Sequence, residues 1–214
     1  MVPQSVQYLD PLMRVGQQVK QAVRIGDPAE EQMKAFQKYG LHPKTARRYP
    51  FQLSGGMARR VLISMATVSG AELLIADEPT PGLDQAVIQE TLHSFKVIAA
   101  SGTAIVFITH DLEAALSIAD RIAVFHSGTM LENALTSDFD GTGDRLRHPY
   151  SRALWQALPQ NEFTVPSEGQ YEGVLEKDGC VYTQSCPMVT SECAMTTPDL
   201  RNLRNGMVRC YHAT

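Results

Sequence analysis

Two short runs place reactive groups where phosphate chemistry could use them. In Leu73-Leu-Ile-Ala-Asp-Glu-Pro-Thr80 an apolar stretch ends in adjacent carboxylates, Asp77 and Glu78. Carboxylates at the end of a buried strand can hold a divalent cation or polarise a water. Ligand sites in open α/β sheets lie beyond the carboxyl ends of the strands. In Leu53-Ser-Gly-Gly-Met57 a hydroxyl and two glycines stand at what reads as a helix start. Glycines let backbone N–H groups approach a phosphate, and the helix dipole behind them adds up to ~2 kcal/mol for a well-placed anion. Each run has a bland alternative when taken singly. Asp-Glu-Pro can merely open a turn, and Ser-Gly-Gly can merely cap a helix. Their occurrence together, in this order and at this spacing, favours the chemical reading.

Further candidates sit near these runs. His110 follows the apolar segment Thr103-Ala-Ile-Val-Phe-Ile-Thr109, and Asp84 closes Pro81-Gly82-Leu83-Asp84 at a helix start. The four cysteines lie in the last 35 residues, spaced Cys180-x5-Cys186-x6-Cys193-x16-Cys210. Four thiolates can hold a [4Fe–4S] cluster or a structural zinc, although zinc ligands usually come as closer pairs; buried thiols without metal are the third alternative. No Gly-x-x-x-x-Gly-Lys-Ser/Thr phosphate loop occurs, and no Gly-Lys pair either.

The elements that must position these groups can be read from periodicity and punctuation. Residues 1–11 read as the end of a strand and a loop, and 12–25 and 28–39 as helices. Asp27 before Pro28 is a helix-start signal. His42-Pro43 and Tyr49-Pro50 bracket a short connecting helix, and Ser54 caps a helix to residue 68. Leu73–Ala76 and Thr103–Thr109 read as strands buried on both faces. Asp84–Ala100 and Asp111–Ala119 read as helices between and after them. Arg121–Phe125 and Thr129–Glu132 form a hairpin about Ser127-Gly128. A short helical piece is expected near Tyr150–Leu158, and 179–214 as a small appendage. Strand–helix–strand alternation implies an α/β class with a largely parallel sheet.

Composition narrows the function classes. At 214 residues the chain holds one domain, or one with a small appendage. With 19 basic and 23 acidic residues, its net charge of −4 gives no general nucleic-acid surface. No apolar run approaches the ~18 residues of a spanning helix. The first residues, MVPQSVQYLD, lack a signal-peptide layout, so a cytosolic location is expected.

Taken together, the runs around Ser54 and Asp77 resemble the ATP-binding cassette (ABC) ATPases. Within these, the chain is most similar to the ATPases of oligopeptide, dipeptide and nickel importers. Met57-Ala-Arg-Arg-Val61, His148-Pro-Tyr-Ser-Arg-Ala-Leu154 with Ala157-Leu-Pro159, and Gly179-Cys-Val-Tyr-Thr-Gln-Ser-Cys-Pro187 with Cys193 and Cys210 carry that similarity. It covers essentially the whole chain. Ala58 and Arg59 depart mildly from the family pattern, and Pro81-Gly82 replaces a common Thr-Ala or Ser-Ala.

The resemblance implies a P-loop NTPase-like (RecA-like) parallel sheet with a helical signature subdomain. It lacks the phosphate-loop strand and adds a small cysteine-containing C-terminal appendage. Residues 1–11 would end the glutamine loop, 12–70 would form the helical subdomain, 71–135 the remaining ATPase core and 136–214 the extension. Asp77 is implied as the Mg²⁺ ligand, Glu78 as the general base, and His110 as the γ-phosphate contact that holds that base. Ser54, Gly55 and Gly56 would contact ATP held by the opposite subunit. Asp84 would lie at the dimer interface, and Gln4 would sense Mg²⁺ and touch the transporter. Cys180, Cys186, Cys193 and Cys210 are the candidate cluster ligands.

The implied cofactors are ATP and Mg²⁺, with a [4Fe–4S] cluster as an addition. The implied partners are a second ABC ATPase subunit, membrane permease subunits and, indirectly, a substrate-binding protein, with no nucleic acid. The place would be the cytoplasmic face of the membrane. The expected function is the ATP-hydrolysing subunit of an importer for peptides, nickel or metal chelates, truncated at its phosphate loop. The alternative is a non-catalytic half-cassette that donates only the signature motif. The missing strand would belong between those ending at His110 and beginning at Arg121, leaving unpaired sheet edges.

Overall fold

The computed structural model describes residues 1–3, 5–161, 163 and 178–214. These form two compact units, Met1–Ile118 and Ala119–Thr214.

The first unit holds helices α1 (Val15–Ala22), α2 (Pro28–Lys38) and α3 (Gly55–Thr67). Strand β1 (Leu73–Asp77), helix α4 (Gln85–Ala100), strand β2 (Ala104–Ile108) and helix α5 (Leu112–Ile118) follow. The start of α2 is set by Asp27, whose Oδ1 accepts from the N–H groups of Ala29 and Glu30 at 3.0 and 2.8 Å. Pro28 is pre-shaped for the first helical turn. Gly16 lets α1 lie against the turn at 43–47: a Cβ there would stand 2.6 Å from that of Ala46.

β1 and β2 pair in parallel, with Ile75 opposite Val106 and Asp77 opposite Ile108. Val2 adds one parallel bridge to β1 at Ala76. Leu74, Ala76, Ile105 and Phe107 face a core made with Val61, Ile63, Phe95 and Ile98. The opposite face is open. Leu73, Ile75, Val106 and Ile108 are 51, 37, 47 and 48% exposed, so the expectation of strands buried on both faces fails here.

The second unit holds strands β3 (Arg121–His126) and β4 (Thr129–Leu135) and helices α6 (Pro149–Gln156) and α7 (Ser191–Met195). Strands β5 (Arg201–Leu203) and β6 (Gly206–Val208) complete it. They form an antiparallel sheet in the order β3-β4-β6-β5. The α/β class therefore stands, with parallel pairing confined to β1, β2 and Val2 among the described residues. The β3–β4 turn puts Ser127 and Gly128 at φ 46° and 76°, the twist-matched two-residue hairpin. β2 ladders with β1 alone and β3 with β4 alone among the described residues.

A buried polar network organises this unit. Glu132 is fully buried and accepts from the backbone N–H groups of Arg147 and His148, both at 2.9 Å. The Arg147 guanidinium donates to Glu132 at 3.2 Å, Asp138 at 2.9 Å and the Leu203 carbonyl at 2.7 Å. His148 caps α6 through Nδ1, which accepts from the Tyr150 N–H at 3.0 Å. Burial, then the neighbouring His126, pushes the His148 pKa down to about 4, so this imidazole stays neutral. No helix among the described residues is long and apolar enough to cross a membrane.

Candidate nucleotide site

β1 delivers the two acids. Asp77 is its last residue, and its N–H donates to the Val2 carbonyl at 3.0 Å. Glu78 follows at φ 44°, a left-handed backbone that a side chain rarely adopts. Its N–H donates to the Ile108 carbonyl at 2.9 Å, so the end of β2 holds the turn. This strained position redirects the chain just where the carboxylate is needed, a pattern common at functional sites.

β2 delivers the histidine. His110 Nδ1 lies 2.8 Å from Glu78 Oε1. The side chain of His110 is 79% exposed and that of Glu78 22% exposed. The hydrogen bond to Glu78 raises the His110 pKa, and the charge of Glu78 adds to that. Glu78 Oε2 is shielded from solvent and meets no hydrogen-bond donor among the described residues. One carboxylate oxygen is thus fixed by His110, while the other retains its acceptor capacity, as a base that orients a water needs.

The glycine-led tip is placed by α3. Ser54 caps that helix, its Oγ accepting from the Met57 N–H at 3.3 Å. The Gly55 and Gly56 N–H groups belong to the first turn, which has no intrahelical acceptors. Ser54 and Gly55 are exposed and Gly56 is half-buried, so the tip is presented outward. A Cβ on Gly56 would stand 3.2 Å from a methyl of Val87 on α4, which explains a glycine at the second position. Asp84 caps α4, accepting from the Val87 N–H at 3.0 Å.

The candidates therefore assemble as two pairs, Glu78 with His110 and the α3 tip with the start of α4. No hydrogen bond joins the pairs among the described residues. Gln4 lies outside the described residues, although Pro3 beside it is anchored: the buried Arg59 donates from Nη1 to the Pro3 carbonyl at 2.5 Å. Sequence reading noted Arg59 only as a departure from a pattern and missed this anchor.

A nucleotide fits the residues present. The orphaned Glu78 oxygen and the unfilled N–H groups of the α3 tip are an acceptor and donors that water and phosphate oxygens would satisfy. Asp77 is the residue that would hold Mg²⁺ with them.

The tail cysteines behave differently. Cys180 is half-exposed, the other three are buried, and all four are free thiols. Burial pushes the Cys186 thiol up to about 11 and raises that of Cys210. Cys193 Sγ stands 3.5 Å from His212 Nε2, a neighbour unassigned from sequence. No group of three or more His, Cys, Asp or Glu side chains could hold a metal ion among the described residues. The other three thiols nevertheless lie near enough to Cys186 for their charges to raise its pKa further.

Solved structures identify the fold as that of an ATP-binding cassette. Two dimeric structures of MJ0796, described as a bacterial ABC transporter cassette and as its post-hydrolysis state bound to ADP and Pi, align with TM-scores of 0.56 and 0.55. Each covers 63% of this chain and 61% of MJ0796 at 24% identity, which speaks to fold alone. The ABC transporter family model matches residues 1–81, and the oligopeptide/dipeptide transporter C-terminal region matches 137–193.

The di/tripeptide transport ATP-binding protein DppF of Pseudomonas aeruginosa is 31% identical over 222 residues, covering 96% of this chain and 67% of the relative. The dipeptide transport ATP-binding protein DppD of Escherichia coli is 34% identical over 221 residues, covering 95% and 66%. The chain belongs to the ABC transporter ATP-binding proteins of the oligopeptide/dipeptide type. It spans about two thirds of the length of these relatives.

Proposed function

We propose that this chain supplies the catalytic carboxylate and the signature tip of an ATP-hydrolysing subunit that powers a peptide importer. Glu78 held by His110 at the ends of two parallel strands is the observation that carries the reading. Glu78 acts as general base on the attacking water, His110 orients it and reaches towards the γ-phosphate, and Asp77 serves Mg²⁺. Mg²⁺, when bound, neutralises charge developing on the phosphate oxygens. Ser54, Gly55 and Gly56 face the ATP of a second ATPase subunit, with Asp84 at that interface, while Gln4 senses Mg²⁺ and touches the transporter.

A permease at the cytoplasmic face of a membrane is the proposed mechanical partner. A groove of about 290 Å³ in the first unit supports this, being apolar and lined by Val6, Leu9, Pro11, Pro50, Phe51 and Ala58. The cargo class follows the names of the relatives, with nickel or metal chelates as further candidates. A substrate-binding protein would act through the permease.

The test uses the chain extended at its N-terminus with a phosphate-loop segment from DppD. Glu78→Gln should abolish turnover and keep ATP binding; turnover within about tenfold of the parent would remove Glu78 from the role. The 214-residue chain without that segment should show no hydrolysis.

The second reading is a half-cassette that donates only its signature tip. Failure of the extended protein to hydrolyse ATP, with binding to a partner cassette intact, would select it. The [4Fe–4S] cluster is the part of the reading with no metal-holding group among the described residues, although the charges of Cys210, Cys180 and Cys193 all act on the Cys186 thiol. About four irons per chain in anaerobically prepared protein would reinstate it, and iron-free protein removes it.

A further inference from the structure

We propose that the second unit contains a binding site for a small oxyanion, a carboxylate or a phosphate, beside the β5–β6 turn. A cavity of about 570 Å³ opens there, lined by Arg121, Asn133, Asn202, Arg204, Asn205 and Met207 among others. That volume lies within the range of small-molecule sites. The lining is unusual in kind: two guanidinium groups and three carboxamides, with no carboxylate among the described residues.

The charge balance is what points to an anion. Arg121 donates from Nε to Asn133 Oδ1 at 2.8 Å and from Nη2 to the Asn205 carbonyl at 3.1 Å. These contacts fix the guanidinium plane and leave Nη1 without a partner among the described residues. Among the described residues, no carboxylate pairs with Arg121 or Arg204; the ion pairs lie elsewhere. Arg147, next to this site, shows the opposite condition, compensated by Glu132 and Asp138. Asn202 and Asn205 make no side-chain hydrogen bond among the described residues, so their amide donors remain free for a ligand. A guanidinium fork matches the oxygens of a carboxylate or phosphate in pairs.

The turn that carries these groups is held in place. Leu203 pairs with Gly206, so Arg204 and Asn205 form a two-residue loop at φ 45° and 61°. Arginine is a poor choice where φ must be positive; asparagine or glycine is usual. The Arg147 guanidinium donates to the carbonyls of Leu203 and Arg204 from behind. Gly206 is pinned as well: a Cβ would stand 2.7 Å from Arg147 Cζ and from the Asn133 carbonyl oxygen. A fixed turn that presents an uncompensated arginine is a preorganised donor set. None of these residues belongs to the nucleotide site, so this proposal can fail while that reading stands.

The test titrates the 214-residue chain, free of Mg²⁺ and nucleotide, with inorganic phosphate and separately with dialanine, read by calorimetry. Saturable binding of either probe is expected, and the probe that binds names the oxyanion source. Arg204→Gln and Asn202→Asp should each weaken it at least about tenfold, the second by placing a carboxylate against the ligand. Both changes are at exposed positions, and circular dichroism checks that the fold persists. Lys96→Gln, a charge loss on α4 of the first unit, should leave binding unchanged. Binding that survives both Arg204→Gln and Asn202→Asp would overturn the proposal, as would the absence of saturable binding with either probe. Loss in Ser54→Ala, with Arg204→Gln unaffected, would overturn it by assigning the anion to the α3 tip.

Discussion

Glu78 and Glu132 are both held by a cationic or titratable partner, yet their settings differ throughout. Glu132 is fully buried, both its oxygens accept from backbone N–H groups, and Arg147 pairs with it at 1% side-chain exposure. Glu78 keeps one oxygen unsatisfied, pairs with an exposed histidine, and sits at a left-handed backbone angle. A buried carboxylate with both oxygens engaged can only hold structure. A carboxylate held at one oxygen and unpaired at the other keeps an acceptor for a donor brought to it. The first unit therefore holds an unpaired carboxylate oxygen at a strained strand end, and the second carries a closed network that brings α6, β4 and the β5–β6 turn together.

Removing the centre of the closed network gives the largest expected effect. Arg147→Ala would leave Glu132 and Asp138 buried without their cation, a loss of about 3–5 kcal/mol. Urea unfolding followed by Trp155, which lies in the same unit, checks it. An unchanged midpoint would mean that the network is incidental to the second unit.

Acid should then single out the second unit through His148. Its pKa of about 4 lies below the ordinary 6.5, because burial favours the neutral ring. As pH falls below about 6.5 the unfolded chain takes up a proton that the folded one refuses, down to about pH 4. The stability present above that window is lost across it, roughly 3 kcal/mol in all at ~1.4 kcal/mol per pH unit. Unfolding midpoints at pH 7 and pH 4.5 measure the loss, and His148→Asn, which can still cap α6, should largely remove the dependence.

Much of the first unit was legible because its signals are local. Asp27-Pro28, Ser54-Gly55-Gly56 and the run into Asp77-Glu78 each specify a cap or a strand end within a few residues, and the structure has them there. His110 was singled out by the family resemblance, and its Nδ1 lies 2.8 Å from Glu78 Oε1. The closed network was not: Arg147 meets Glu132 from 15 positions away and Leu203 from 56, with no periodic pattern linking them. Nor could an apolar run show which of its faces would be covered. Leu73-Leu74-Ile75-Ala76 reads the same whether one face is buried or both, and the structure buries only Leu74 and Ala76. The cysteine spacing showed four potential donors, but ligation depends on side-chain convergence that spacing does not encode.

The open face of β1 and β2 sharpens the comparison at a smaller scale. Val106→Thr on the exposed face should change stability by no more than about 0.5 kcal/mol. Phe95→Ala, beneath the covered face and edge-on to Phe107 at 5.5 Å between centroids, should cost about 3–5 kcal/mol. Equal costs would mean that both faces are packed in solution.

The smallest effect concerns the exposed pair itself. The His110 pKa is raised by its hydrogen bond to Glu78. A raised folded pKa means that the pair's contribution is fully present below about pH 6.5 and fades as pH climbs through the folded value, the reverse of the dependence at His148. With the imidazole mostly in solvent, its mark on global unfolding should be hard to detect. The titration of the ring itself is the sensitive reading. The NMR shifts of the His110 imidazole protons should move at a pH above the usual histidine value, and Glu78→Gln should return that midpoint to it. A midpoint unmoved by Glu78→Gln would separate the two side chains in solution and remove the contact on which the orientation of the carboxylate depends.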